Sequence, residues 1–80
     1  MITLNLPGKN PMEVKDRDEL KKALIGIVDR FRDAELDTEV KIKKLQALFE
    51  ANEKTLNNIG PDLYLDVKNK IGDVIRGLLS

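Results

Sequence analysis

The chain contains no histidine and no cysteine. Without histidine it lacks the commonest general base, the commonest metal ligand and the usual switch near neutral pH. Without cysteine, disulfides and thiolate metal sites are excluded. Tryptophan is missing as well, and the aromatic residues reduce to Phe31, Phe49 and Tyr64. That is a poor supply for stacking on single-stranded nucleic acid.

Neither sign of charge is in excess. Fourteen Lys and Arg residues balance fourteen Asp and Glu residues, so no net field draws the chain to nucleic acid or an anionic membrane. Long hydrophobic runs are absent too. The longest, Ala23 to Val28, falls far short of the roughly 20 residues a spanning helix needs. The opening residues Met1 to Leu6 carry neither the basic region nor the apolar core of a secretion signal, and the expected location is cytoplasmic.

These absences bear on catalysis. The hydroxyl groups of Thr3, Thr38, Thr55, Tyr64 and Ser80 have no histidine to activate them. Paired carboxylates alone can cleave glycosides, but so small a domain offers no evident substrate cleft. The reading is a non-enzyme without cofactor, metal or small-molecule substrate.

What is present organises around residues 42 to 59. Ile42, Leu45, Phe49, Asn52, Leu56 and Ile59 step by three and four, the seam of a helix that faces another helix. Asn52 is the one polar member. An amide in a seam is costly unless hydrogen-bonded. It is expected either to pair across a helix interface with another chain, fixing register, or to meet a polar group of its own chain near Thr55 or Gly72; the alternative is that the seam ends early and leaves it half-exposed beside Thr55.

Ahead of the seam, Ile2, Leu4, Leu6, Met12 and Val14 all fall on even numbers, separated by Pro7, Gly8, Lys9, Asn10 and Pro11. This alternation predicts two short strands, with Leu6 opposite Met12 and Leu4 opposite Val14. The alternative is a single extended arm. The Gly8-Lys9 pair lacks the second glycine and the following Ser or Thr of a phosphate loop, and is turn chemistry.

Asp16 with Glu19 then predicts the start of a helix running to about Leu36. Its stripe is Leu20, Leu24, Ile27, Phe31 and Ala34, with Ala23 and Val28 beside it. Asp37 and Thr38 offer a cap for the second helix, about 38 to 58. Val40, Ala47 and Ala51 make a smaller strip on its far side, where the small side chains either let another backbone come close or serve only as good helix formers. Gly60 is expected as a left-handed C-cap and Pro61 as the start of a third helix, 61 to 79. Tyr64, Val67, Ile71, Val74 and Leu78 form its stripe, widened by Leu63, Ile75 and Leu79.

The expected fold is therefore mainly α: one small domain, residues 1–80. A short N-terminal β-hairpin or extended arm, 1–15, lies across an antiparallel three-helix bundle, 16–80. A chain of eighty residues buries only about 60% of its unfolded surface, so self-association is a natural source of further burial.

The acidic group Asp29, Asp33, Glu35, Asp37 and Glu39 lacks a calcium-loop pattern and has Arg30, Arg32 and Lys43 close in sequence. It is expected to be a self-neutralising surface. The functional expectation is a protein-interaction module acting through helix faces. Asn52, Leu65, Leu79, Ile25 and Val40 are its candidate contact residues, and a homo-oligomer or a protein partner is its ligand. The competing expectation is a nucleic-acid-binding tri-helical regulator using Lys41, Lys43 and Lys44. Asp62, Asp66 and Asp73 on the third helix oppose it, because they would face phosphates.

Overall fold

The helices begin and end where local chemistry dictates. Asp16 accepts a hydrogen bond from the Glu19 N–H (2.9 Å), while the Glu19 carboxylate accepts from the Lys15 N–H (3.3 Å). Two N-terminal donors are thereby satisfied reciprocally. From this cap helix α1 runs Arg17–Asp33, followed by α2 at Thr38–Ile59 and α3 at Pro61–Leu79. Two strands precede them, β1 (Ile2–Leu4) and β2 (Met12–Val14). The structure is a computed structural model and describes residues 1–80. Three helices packed on one another with an N-terminal antiparallel hairpin make the fold mainly α, as the sequence implied. No helix is long and apolar enough to cross a membrane.

Helix α1 stops three residues short of Leu36. Ala34 turns extended (φ −68°, ψ 151°), and the ammonium of Lys41 donates to the Arg32 carbonyl at 2.6 Å. A cation on the last carbonyls satisfies groups that another turn of helix would have satisfied. Asp37 does occupy the N-cap of α2, but its side chain makes no capping hydrogen bond. Gly60 also departs from expectation. Its backbone is extended (φ 168°) rather than left-handed. A β-carbon there would come within 2.8 Å of the exposed Asp62 carboxylate, which would have to shift.

The hairpin forms with even residues paired to even, but two residues out of the expected register. Ile2 lies opposite Val14 and Leu4 opposite Met12. Both registers put the same faces inward. Asn5 is withdrawn from the ladder because its backbone is bound by a helix side chain. Leu6 to Lys9 then form a turn closed by the Lys9 N–H on the Leu6 carbonyl (2.9 Å), with Gly8 at φ 77°. Proline second and a left-handed glycine third are the requirements of a type II turn.

Leu4 and Val14 point down from the strands and join one core with Leu20, Leu24 and Val28 of α1. Ile27 of α1, Leu45, Leu48 and Leu56 of α2, and Leu63, Val67, Ile71 and Val74 of α3 complete it. The buried line of α2 is Leu45, Leu48, Asn52 and Leu56, while Ile42, Phe49 and Ile59 of the expected seam are half-buried. A seam describes contact with one neighbour. Here α2 meets α3 on one side, where the Phe49 and Tyr64 rings lie 5.4 Å apart. On the other it meets α1 and, through Asn5, the arm that follows β1.

Helices α1 and α3 run in the same direction, as an up-down-up bundle requires. Arg17 pairs with Asp62 (2.8 Å), Lys21 with Asp66 (3.1 Å) and, with signs reversed, Asp29 with Lys70 (3.3 Å). Exposed pairs contribute little stability each.

Candidate functional site

Asn52 is the most deeply placed of the candidate residues, 1% exposed. Its Oδ1 accepts from the Asn5 N–H (2.8 Å), and its Nδ2 donates to the Asn5 carbonyl (2.9 Å) and the Leu48 carbonyl (2.8 Å). The side-chain amide stands in for a neighbouring strand, extending β1 by one residue onto α2. Asn5 returns the contact, its own amide donating to the Ala51 carbonyl (3.0 Å). The partner of Asn52 is thus the arm of its own chain, neither Thr55 nor a carbonyl near Gly72. With these bonds made, the amide has nothing to offer another chain.

Of the small residues on this side of α2, Ala47 lines a cavity with Pro7 of the arm, while the Ala51 side chain is exposed and only its carbonyl meets Asn5. From Asn5 the chain descends antiparallel to α2: Asn5 at Asn52, Leu6 beside Leu48, Pro7 beside Lys44. Where it turns away at Pro7 a cleft opens between the hairpin loop, the end of α1 and the start of α2. One part, of about 300 Å³, is lined by Pro7, Phe31, Val40, Lys43, Lys44 and Ala47. A second part, of about 160 Å³, continues under the loop along Leu6, Ile27 and Leu48, with Lys9 at its edge. Pro7, Phe31 and Lys44 belong to both.

The chemistry of this cleft is one-sided. Its floor is apolar, its only charges are Lys9, Lys43 and Lys44, and no carboxylate lines it. The Lys44 ammonium lies 5.8 Å from the centre of the Phe31 ring, a favourable cation–π placement. Of the other depressions, one is likewise lined by basic charge alone, with Lys68 and Arg76 beside Phe49, Ile71 and Ile75, and two carry mixed charge. Arg32, Lys70 and Asp73 line one between α1 and α3; Asp18, Lys21, Lys22 and Asp29 line another along α1.

The structure scatters the remaining candidates. Val40 lines the cleft and is 39% exposed. Ile25, half-buried, lines the mixed-charge depression on α1. Leu65 (51% exposed) and Leu79 (68% exposed) stand out from α3 and line no cavity. Of the three lysines considered for nucleic acid, Lys43 and Lys44 reach the cleft. Lys41 is held on the Arg32 carbonyl.

Phe31, Pro7 and Leu36 were not legible as surface residues. Phe31 sits on the α1 stripe and reads as core. It is half-buried because α1 ends two residues later, leaving its ring at the bundle's edge. The early end of α1 also leaves Leu36 in the α1–α2 joint, 43% exposed. Around it stand Asp33, Glu35, Asp37 and Glu39 with no basic residue between 33 and 39. Asp33 is held by Arg32 at 3.0 Å, and its carboxyl lies below the usual range chiefly because of that hydrogen bond. Arg32 also reaches Asp29 at 3.1 Å, so this half of the acidic group is self-neutralised. Glu35, Asp37 and Glu39 take part in no ion pair. Comparison with protein-family models, curated proteins and solved structures finds no match for the chain.

Proposed function

We propose that this chain is a small non-enzymatic interaction module that works through its helix faces and associates with itself. The observation that carries this reading is the pole where α1 ends and α2 begins. There an apolar cleft with a lysine rim lies beside an exposed leucine in an acidic joint. Apolar area next to complementary charge is the composition of an association surface. The cleft walls carry neither a hydroxyl nor a carboxylate, which fits binding better than acid–base or nucleophilic chemistry.

Nucleic acid is the weaker ligand for this surface. Lys41 is engaged within the chain and the Phe31 face is covered by Lys44, so neither a three-lysine phosphate contact nor base stacking is set up. The test of the reading is mass in solution. Sedimentation equilibrium from low micromolar to near-millimolar chain should show reversible association; a single monomer mass throughout would overturn it.

A further inference from the structure

We propose that a second copy of the chain docks its α1–α2 joint into this cleft. Leu36 of one copy enters between Phe31, Val40 and Ala47 of the other, and its Glu35, Asp37 and Glu39 face Lys9, Lys43 and Lys44. The proposal rests on the self-association reading and names the surface that performs it.

Three observations converge on it. First, the two halves match in chemistry: three carboxylates without ion pairs flank an exposed leucine, and three ammonium groups without ion pairs flank an apolar cleft. Unpaired surface charges are ordinary, but their segregation by sign around apolar groups is not required by a net charge of zero. Second, one chain does not satisfy the match by itself. The joint borders its own cleft, yet Leu36 stays 43% exposed. Third, joint and cleft are neighbours at one pole. A single two-fold axis between them places each joint in the other copy's cleft, which closes the assembly at two chains.

A standard interface buries about 800 Å² per partner, roughly a seventh of the 5296 Å² that this chain exposes. Weak association is expected, and its charged component is screened as salt rises.

Sedimentation equilibrium of the full chain at low and high salt is the test. The dimer should weaken as salt rises. Leu36→Asp should weaken it at least about tenfold, the change that one buried apolar side chain carries. Leu65→Asp, at a residue somewhat more exposed than Leu36 but on α3, should leave it unchanged. Thermal melts verify that both variants fold. Charge reversal gives the sharper arm. Lys43→Glu/Lys44→Glu and Glu35→Lys/Asp37→Lys should each be monomeric alone, and mixing them should restore a dimer.

The failures are distinguishable. A dimer indifferent to Leu36→Asp and to both reversals refutes this surface while self-association stands. A chain that stays monomeric everywhere refutes both readings. If such a monomer still binds a labelled peptide of residues 33–39 saturably, the cleft takes an acidic, leucine-bearing segment of another protein, and the second-copy proposal falls.

Discussion

Replacing Asn52 by leucine should destabilise the protein. The substitution removes the acceptor for the Asn5 N–H and the donor to the Asn5 carbonyl. The Leu48 carbonyl keeps its place in the helix. An unsatisfied buried backbone group costs about 1–3 kcal/mol. Asn5 is only half-buried, so water recovers part of that and about 2–4 kcal/mol is the cost for the pair. Leucine's apolar contact offsets roughly 1 kcal/mol, leaving a net loss of about 1–3 kcal/mol. For a domain of this size that lowers the melting temperature by roughly 5–20 °C. Asn52→Ala, with no such offset and a small void, should cost more. Asn5→Ala should cost under about 1 kcal/mol, because its side chain makes only the exposed bond to the Ala51 carbonyl. Denaturant midpoints and exchange of the Asn5 amide measure all of this. The reasoning is refuted if Asn52→Leu matches the parent midpoint while the Asn5 amide stays protected, or if Asn5→Ala costs as much as Asn52→Ala.

Leu48→Ala should cost about 2–5 kcal/mol, the range for emptying a core site. Phe49→Ala should cost less, since Phe49 is half-buried while Leu48 is fully buried; equal denaturant midpoints would place the seam on the wrong face. Gly8→Ala should cost about 1–2 kcal/mol, because Gly8 sits at φ 77° with open space around it, so that strain is the only penalty; an unchanged melt would argue against the turn. The pH dependence of stability should be confined to acid. The hydrogen bond from Arg17 holds the Asp62 carboxyl below its ordinary 3.8, and that from Arg32 does the same for Asp33. With the folded value below the unfolded one, the unfolded chain takes up the proton first. Their contribution is therefore present above about pH 4 and lost as pH falls through the folded values. With no histidine, a stability transition between about pH 5.5 and 8 would contradict this account.

Periodicity and caps carried the helices well because both are local. Asp16, Pro61 and the stripes at three and four residues act within one or two turns, and the observed helices begin where those residues say. What failed depended on distant partners. Helix α1 ends at Asp33 because Lys41, eight residues on, caps it from the next helix. The hairpin register shifts because Asn52, far along the chain, takes the Asn5 backbone. Leu48 was invisible as core because its neighbour is the arm, and a heptad pattern registers only helix against helix. The cleft was half legible. Val40, Lys43 and Lys44 drew attention separately, but only the early end of α1 brings Phe31 and the joint beside them.

The same contact that completes the core also fixes the edge of the cleft. The Asn52 amide holds the arm down as far as Asn5, and the turn at Pro7 and Gly8 then lifts the chain away from α2. Had the hairpin taken the longer ladder, with Leu6 opposite Met12, Asn5 would sit within the strand pairing. The arm would then not turn off at this level, and Phe31 and Ala47 would meet a different neighbour. The residues that seal one half of the α1–α2 groove therefore leave the other half open. Substitutions at Lys9 or Asn10 should reshape the cleft at little cost to the bundle, because their side chains are exposed and outside the core. Substitutions at Asn52 should disturb both together. This coupling gives the amide a functional consequence even though it never reaches the surface.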